Sequence, residues 1–440
     1  MNYLVNMNEV NGYSKRVQHG WAMYDWANSV YTLVVGTAIF PIYYTAVMDA
    51  NGQSVIQFFG MELDSTAAYT FMMAAAYLMV SIVTPYLSAL SEVGGSKKHF
   101  MRGFIWAGSL TTASMYFFTA DHMLLGLWTP FLGAIAFSGS LVFYNSYLPE
   151  IAAKPDQDAL SAKGFSLGYF GSVLVLIGAL LCIQNPSWFG LDSAGLIIRV
   201  VFLVVAAWWL LWGEYSLARL PHNHGLEAKE KGWIVSAYVQ LIDVAKSFSS
   251  TVGLQRFVIG FFFASAGVQT VILIASLFGT EVLHLETGAL ITTIILIQFV
   301  GIIGAQLFAY LSSRIGNMRA LLVAAAFWAF ICFLAFLVQT EIQFYLLGSS
   351  LGLVLGGIQA LARSTFAKML PDGGEHVTYF SFFDIAEKLA TVMGMLGVGW
   401  IIEVTGDMRI SALLLSVFFV IALMVWFPIQ SLQRKAIRKR

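Results

Sequence analysis

Apolar stretches each long enough to form a whole helix recur along this chain, and short polar gaps separate them. They run near 23–46, 67–90, 102–120, 124–147, 164–183, 196–216, 257–279, 289–311, 320–338, 342–362, 380–402 and 408–427. A hydrocarbon core of roughly 30 Å takes about 20 residues of apolar helix to cross. The pattern therefore predicts twelve transmembrane helices and an all-α polytopic membrane protein.

Charge orients the spans. All but Arg199, Arg409 and Lys388, the last inside span eleven, of the 24 Lys and Arg residues fall in, or at the edge of, every second gap. These gaps hold Lys15 and Arg16, Lys97 to Arg102, Lys154 and Lys163, the 219–256 stretch, Arg314 and Arg319, Lys368, and the tail from Arg434. The intervening gaps carry acidic residues such as Asp49, Asp64, Asp121, Glu281, Glu341 and Asp407. The positive-inside bias puts the basic gaps and both termini in the cytoplasm. With 58% hydrophobic and 11% charged residues, the chain has too little polar surface for a soluble particle. A formal net charge of zero conceals this segregation, and no nucleic-acid binding is expected. The first 20 residues lack a cleavable apolar core, so span one itself is expected to direct insertion. Cys182 and Cys332 fall within spans as packing thiols.

The only long interruption, 219–256, divides the chain into six-span halves, 1–218 and 257–440. An even number of spans in each half gives both the same orientation, as in the parallel repeats of secondary transporters. The end of span two, with Leu90, Ser91 and Gly95, matches the end of span eight, with Leu311, Ser312 and Gly316. Within the linker, Trp233, Val235, Tyr238, Val239, Leu241, Ile242 and Val244 alternate with Asp243 and Lys246 near helical periodicity, which predicts an amphipathic helix along the inner leaflet. His222 and His224 lack the further ligands a metal site needs. The chain has no Gly-x-x-x-x-Gly-Lys-Ser/Thr loop, so direct drive by ATP is not expected. No nucleophile motif or catalytic cluster points to an enzyme, and no cofactor is implied.

The loop after span two is similar to the major facilitator superfamily signature, Gly-x-x-x-Asp-Arg-x-Gly-Arg-Arg. Here Ser88 stands at the leading Gly, Glu92 at the Asp, Val93 at the first Arg, Gly95 at the second Gly, and Ser96 and Lys97 at the basic pair. Trp21-Ala-Met-Tyr-Asp-Trp-Ala-Asn-Ser29 resembles the first-span motif of the vacuole-effluxer-like branch, the autophagy-related amino-acid effluxers and their bacterial relatives. So do Tyr144-Asn-Ser-Tyr-Leu-Pro-Glu-Ile151, Ser166-Leu-Gly-Tyr-Phe-Gly171, Gly356-Gly-Ile-Gln-Ala-Leu-Ala-Arg-Ser364 and Phe382-Phe-Asp-Ile-Ala-Glu-Lys388. The resemblance implies a major facilitator fold of two six-helix bundles and a bacterial-type member in the inner membrane. Glu92 keeps a carboxylate suited to face a helix N-terminus, but its usual Arg companion is replaced.

Ionisable residues inside spans cost about 2.5–3.5 kcal/mol at the bilayer centre on insertion scales and are usually paired or functional. In span one Asp25, Ser29, Thr32 and Gly36 share a helical face, with Asn28 beside it. Gln359 and Arg363 end span ten, and Asp384, Glu387 and Lys388 open span eleven, all expected in the cytoplasmic third. Asp25 and Glu92 are expected to meet Arg363 and Lys388 and so close a cytoplasmic gate. The alternative is that each charge snorkels, or pairs within its own helix as Asp384 and Lys388 can. Substrate contacts are expected from Ser29, Thr32, Tyr144, Asn145, Tyr169, Gln269, Gln298 and Gln359. Such hydroxyls, amides and aromatics suit a neutral amino acid or similar zwitterionic metabolite moved by alternating access, with protons as a possible coupling ion. The competing readings are an exporter of lipophilic or drug-like compounds and, more remotely, a non-transporting scaffold or receptor. Gly164 and Gly168, like Gly348, Gly352 and Gly356, recur every four residues, as close helix crossings require.

Overall fold

The computed structural model describes residues 13–50, 55–58, 60–94, 97–221, 233–371 and 375–438. Gly95, Ser96, His222 and His224 lie outside them. Helix α1 (Lys15–Val30) runs through a π-helical stretch, Tyr31–Ile39, into α2 (Phe40–Ala50), and the three form one rod. The other rods of the first half are α3 (Ser65–Val93), α4 (Lys97–Ser114), α5 (Leu125–Ser146), which passes through the short α6 (Leu148–Ile151), α7 (Gln157–Gln184) and α8 (Gly195–Arg219). Helix α9 (Trp233–Ser250) links the halves. The second half holds α10 (Val252–Leu283), α11 (Thr287–Ile315), α12 (Asn317–Leu337), α13 (Glu341–Met369), α14 (His376–Thr405) and α15 (Met408–Arg438).

Among the described residues, eleven of these rods are long and apolar enough to cross a membrane. The twelfth is α4, whose 18 residues include Lys97, Lys98 and Arg102. The expected span at 102–120 thus starts five residues early and ends in a 3-10 turn at Met115–Phe117. Lys97 is absorbed into the helix because it pairs with Glu150 and lies 3.8 Å over the Tyr147 ring. Lys98 Nζ donates to the Leu220 carbonyl at 2.9 Å. Span eleven likewise begins at His376 rather than 380. A two-stranded antiparallel hairpin, β1 (Val55–Phe58) and β2 (Met61–Asp64), joins spans one and two and was not foreseen. Asp64 ends it and caps α3, accepting from the Thr66 and Ala67 amides.

The packing repeats. The first rod lies against α7 and α8, as α10 lies against α14 and α15. Helix α4 packs on α5 and α8 as α12 packs on α13 and α15, and α3 packs on α5 as α11 does on α13. Between the halves, α3 meets α14 and α7 meets α11, which is the same contact seen from each side. Large apolar side chains such as Ile82, Leu211, Leu396 and Met424 point outward, as a lipid-facing surface requires.

Close crossings depend on the glycine repeats. A Cβ at Gly352 would strike the Ile297 carbonyl, and one at Gly356 the Gly301 carbonyl, so α11 and α13 touch backbone to backbone. Neither carbonyl can move without breaking its helix. Gly356→Ala is expected to destabilise the protein by about 1–3 kcal/mol, read as a lower Tm in detergent. Gly399→Ala, where a Cβ meets nothing within 4 Å, should leave the Tm unchanged.

Candidate functional site

At the end of the bundle that carries Lys15, Lys97, Arg219, Arg314 and Lys368, a chain of polar contacts ties the two halves together. Its centre is an ion pair between Asp25 of α1 and Arg363 of α13, each 4% exposed. Arg363 Nη2 donates to Asp25 Oδ2 at 3.0 Å and Nη1 to Oδ1 at 3.4 Å. The guanidinium also donates from Nε to Ser161 Oγ at 2.9 Å, from Nη2 to the Ser161 carbonyl at 2.8 Å, and from Nη1 to Asn145 Oδ1 at 3.4 Å. Tyr144 Oη donates to Asp25 Oδ2 at 2.9 Å. Three rings, of Trp21, Tyr144 and Phe165, face the Arg363 cation. Tyr144 in turn stacks on Trp21, whose Nε1 donates to the Tyr144 carbonyl. A buried charge pair is tolerated only when its remaining donors and acceptors are satisfied, and here they are. Gly164 makes room for it, because a Cβ there would overlap Asp25 Oδ2.

Two further contacts flank this pair and are related by the internal repeat. Glu92, at the end of α3, accepts from the Val377 amide at 2.6 Å and the Thr378 hydroxyl at 2.6 Å, so it caps the N-terminus of α14. On the other side Asp158, at the start of α7, accepts from Ser312 Oγ at 2.8 Å and Asn317 Nδ2 at 2.7 Å, and pairs with Lys368 at 2.7 Å. The carboxylate has changed sides: it sits at the end of α3 in one copy and at the start of the facing helix α7 in the other. Glu150 adds a third contact, between Lys97 and His376 Nδ1, the latter at 3.5 Å.

The expected pairing of Asp25 with Arg363 is present, but Glu92 does not meet Lys388. Lys388 lies 3.4 Å from Asp384 Oδ1 and 4.0 Å from Glu387 Oε1, with the Tyr77 ring at 5.8 Å. Lys388 is twelve residues past the start of α14 at His376, about 18 Å along the axis. Glu387 accepts from Gln269 Nε2 of α10, while Asp384 Oδ2 is buried with no partner among the described residues.

The face of span one opens progressively. Asp25 is buried, Ser29 and Thr32 are half-buried, and Gly36 is exposed. The π-helical stretch carries this face, and the Thr37 hydroxyl donates to the Thr32 carbonyl within it. The remaining expected contacts divide. Tyr144 and Asn145 serve the ion pair instead of a cavity. Tyr169 Oη donates to Gln359 Oε1 at 2.8 Å across the two halves. Asn28 accepts from Ser29 Oγ, and its Nδ2, like Gln298 Oε1, has no partner among the described residues. Asp158, Ser161, Asn317 and Lys368 were missed. The Ser312 to Gly316 repeat points to the corner where the Asp158 contact forms, but not to its partner on α7.

A family profile described as vacuole effluxer Atg22 like matches residues 13–438. The chain belongs to that family. The uncharacterized MFS-type transporter YxiO of Bacillus subtilis is 30% identical over 93% of both chains. Autophagy-related protein 22 of Kluyveromyces lactis is 26% identical over 83% of this chain and 80% of its own. Two solved structures share the fold at low identity. The proton:xylose symporter XylE, bound to 6-bromo-6-deoxy-D-glucose, matches with a TM-score of 0.71 and 13% identity over 94% of each chain. The human organic anion transporter MFSD10 matches with 0.70 and 14%, over 93% of this chain and 99% of its own. This Atg22-like chain is therefore an integral membrane transporter of the major facilitator type.

Removing one member of a buried ion pair leaves the other unpaired, at about 3–5 kcal/mol. Asp25→Asn and Arg363→Gln should each lower thermal stability in detergent. The double variant should lose less than the sum of the two, with a coupling of about 0.5–3 kcal/mol. Simple additivity would mean that the pair contributes nothing as a pair.

Proposed function

We propose that this Atg22-like chain is a secondary active transporter that moves a neutral amino acid or a similar zwitterionic metabolite by alternating access across a bacterial cell membrane. Both termini lie in the cytoplasm in this reading, as the confinement of Lys and Arg to one end supports. The conformation is then outward-open: Asp25–Arg363, Glu92 and Asp158 close the cytoplasmic side, and the Ser29 to Gly36 face opens toward the other.

The observation that carries the substrate class is the charged group on α14. Lys388 offers a cation beside the carboxylates of Asp384 and Glu387, which together complement the two ends of a zwitterion. Two carboxylates against one ammonium leave one excess negative charge where charge is expensive. A proton on either acid, or the ammonium of the substrate, removes it, so the two compete for one site and their movements are coupled. A lipophilic cargo has less support. The apolar cavity between α10, α11, α12, α13 and α15, lined by Ile274, Phe278, Ile297, Cys332 and Leu351, holds only about 60 Å³, against about 300–1,000 Å³ for pockets that take drug-sized ligands.

Uptake of a panel of labelled neutral amino acids into proteoliposomes, with and without a pH gradient, tests this. At least one solute is expected to accumulate when the gradient is imposed, and silence across the panel would sink the reading. Glu387→Gln should abolish the response to the gradient while substrate exchange persists. Asp25→Asn should abolish net transport with folded protein still in the membrane. Loss of Lys388 should weaken substrate binding about tenfold or more, as expected for a charge-assisted bond.

A further inference from the structure

Helix α9 carries three stripes at helical spacing. Ala237, Leu241, Val244 and Phe248 face the protein: Ala237 packs with Ala89 and Leu90 of α3, and Phe248 with Phe382 of α14. Ser236, Gln240, Asp243 and Ser247 form a polar stripe on one flank. Its inner edge is bonded to the gate, since Gln240 Nε2 donates to Glu92 Oε2 at 2.7 Å and Tyr379 Oη donates to Ser247 Oγ at 2.9 Å. On the other flank Val235, Tyr238, Val239 and Ile242 are all exposed. A helix in water has no reason to separate its exposed residues into an apolar and a polar side, whereas a helix half-sunk at a bilayer surface does.

We propose that α9 is a clasp seated in the inner leaflet, and that it holds the outward-open state through Gln240. The apolar stripe takes phospholipid acyl chains. Farther along the same flank, a surface of Ile242, Ala245, Lys246, Ser249 and Ser250 presents the Lys246 ammonium, 3.9 Å from Asp243 Oδ1, to a phospholipid headgroup. Gln240 occupies the role left open by Val93, where the loop motif lacks its basic residue: it is the partner that holds the Glu92 carboxylate toward the N-terminus of α14. Inward opening parts α3 from α14, so Glu92 cannot keep both Val377 and Gln240. The lipid that seats α9 thereby sets the balance between the two states. The inference rests on the alternating-access reading, but its measurements need no transported substrate.

The test uses full-length protein with Cys182→Ser and Cys332→Ala, reconstituted in phospholipid nanodiscs. A fluorophore at Val239→Cys should be quenched by doxyl-labelled phospholipid at least about twice as strongly as one at Asp243→Cys, which aqueous iodide should quench instead. Separately, Gly36→Cys reports outward opening, because a Cβ there meets only ordinary contacts and the position is exposed. Gln240→Leu should slow its reaction with a membrane-impermeant maleimide, approaching tenfold, the scale of one hydrogen bond to a charged group. Gln240→Arg should hold or raise the rate, which distinguishes lost clasping from a damaged fold. Iodide quenching at Val239 without lipid quenching overturns the membrane seat, and an unaltered Gly36 rate in both Gln240 variants overturns the clasp.

Discussion

A fully buried charge pair holds this structure in the state observed. Asp25 and Arg363 come from opposite halves, and neither is tolerable in a low dielectric without the other. Around them the chain provides a complete set of partners, with Tyr144 on the carboxylate and Ser161, Asn145 and three aromatic rings on the guanidinium. Because the pair is satisfied only when α1, α7 and α13 converge, it ties local chemistry to the relative position of the two bundles. Separating the halves at this end would expose two charges that must find water or new partners together.

The flanking contacts follow from the repeat. Two-fold packing brings α3 to α14 and α7 to α11 in the same way, so each half offers a helix N-terminus to the other's loop. Helix N-termini attract carboxylates, and Glu92 takes that role on one side. On the other side the corner residues Ser312 and Asn317 are donors, and Asp158 supplies the carboxylate from α7. The two contacts share a position and exchange their polarity, as duplicated halves that have diverged can do without losing the closure.

At the basic end charges are paired across the halves, whereas Asp384, Glu387 and Lys388 lie together farther along one helix. Span one carries a face that grows more exposed from Asp25 to Gly36, through a π-helical stretch. Extra residues in a turn rotate that face, so the stripe seen at ideal helical spacing describes its two ends better than its middle.

The sequence alone determined the membrane class, the spans and the family motifs, because hydrocarbon thickness fixes helix length and every unsatisfied backbone group in lipid forces a helix. It also nominated Asp25 and Arg363, since an ionised side chain in an apolar run has few explanations. What it misjudged were ends and partners. Lys97 and Lys98 read as a loop, but they are helical because Glu150 and the Leu220 carbonyl hold them. Lys388 was expected to reach Glu92, but it pairs with Asp384 and Glu387 of its own helix. Asp158 and Gln240 gain their partners only when the halves are packed together. Span length and burial are properties of one helix and its solvent, whereas the partner of a polar group depends on which distant helix arrives beside it, and only the tertiary structure decides that.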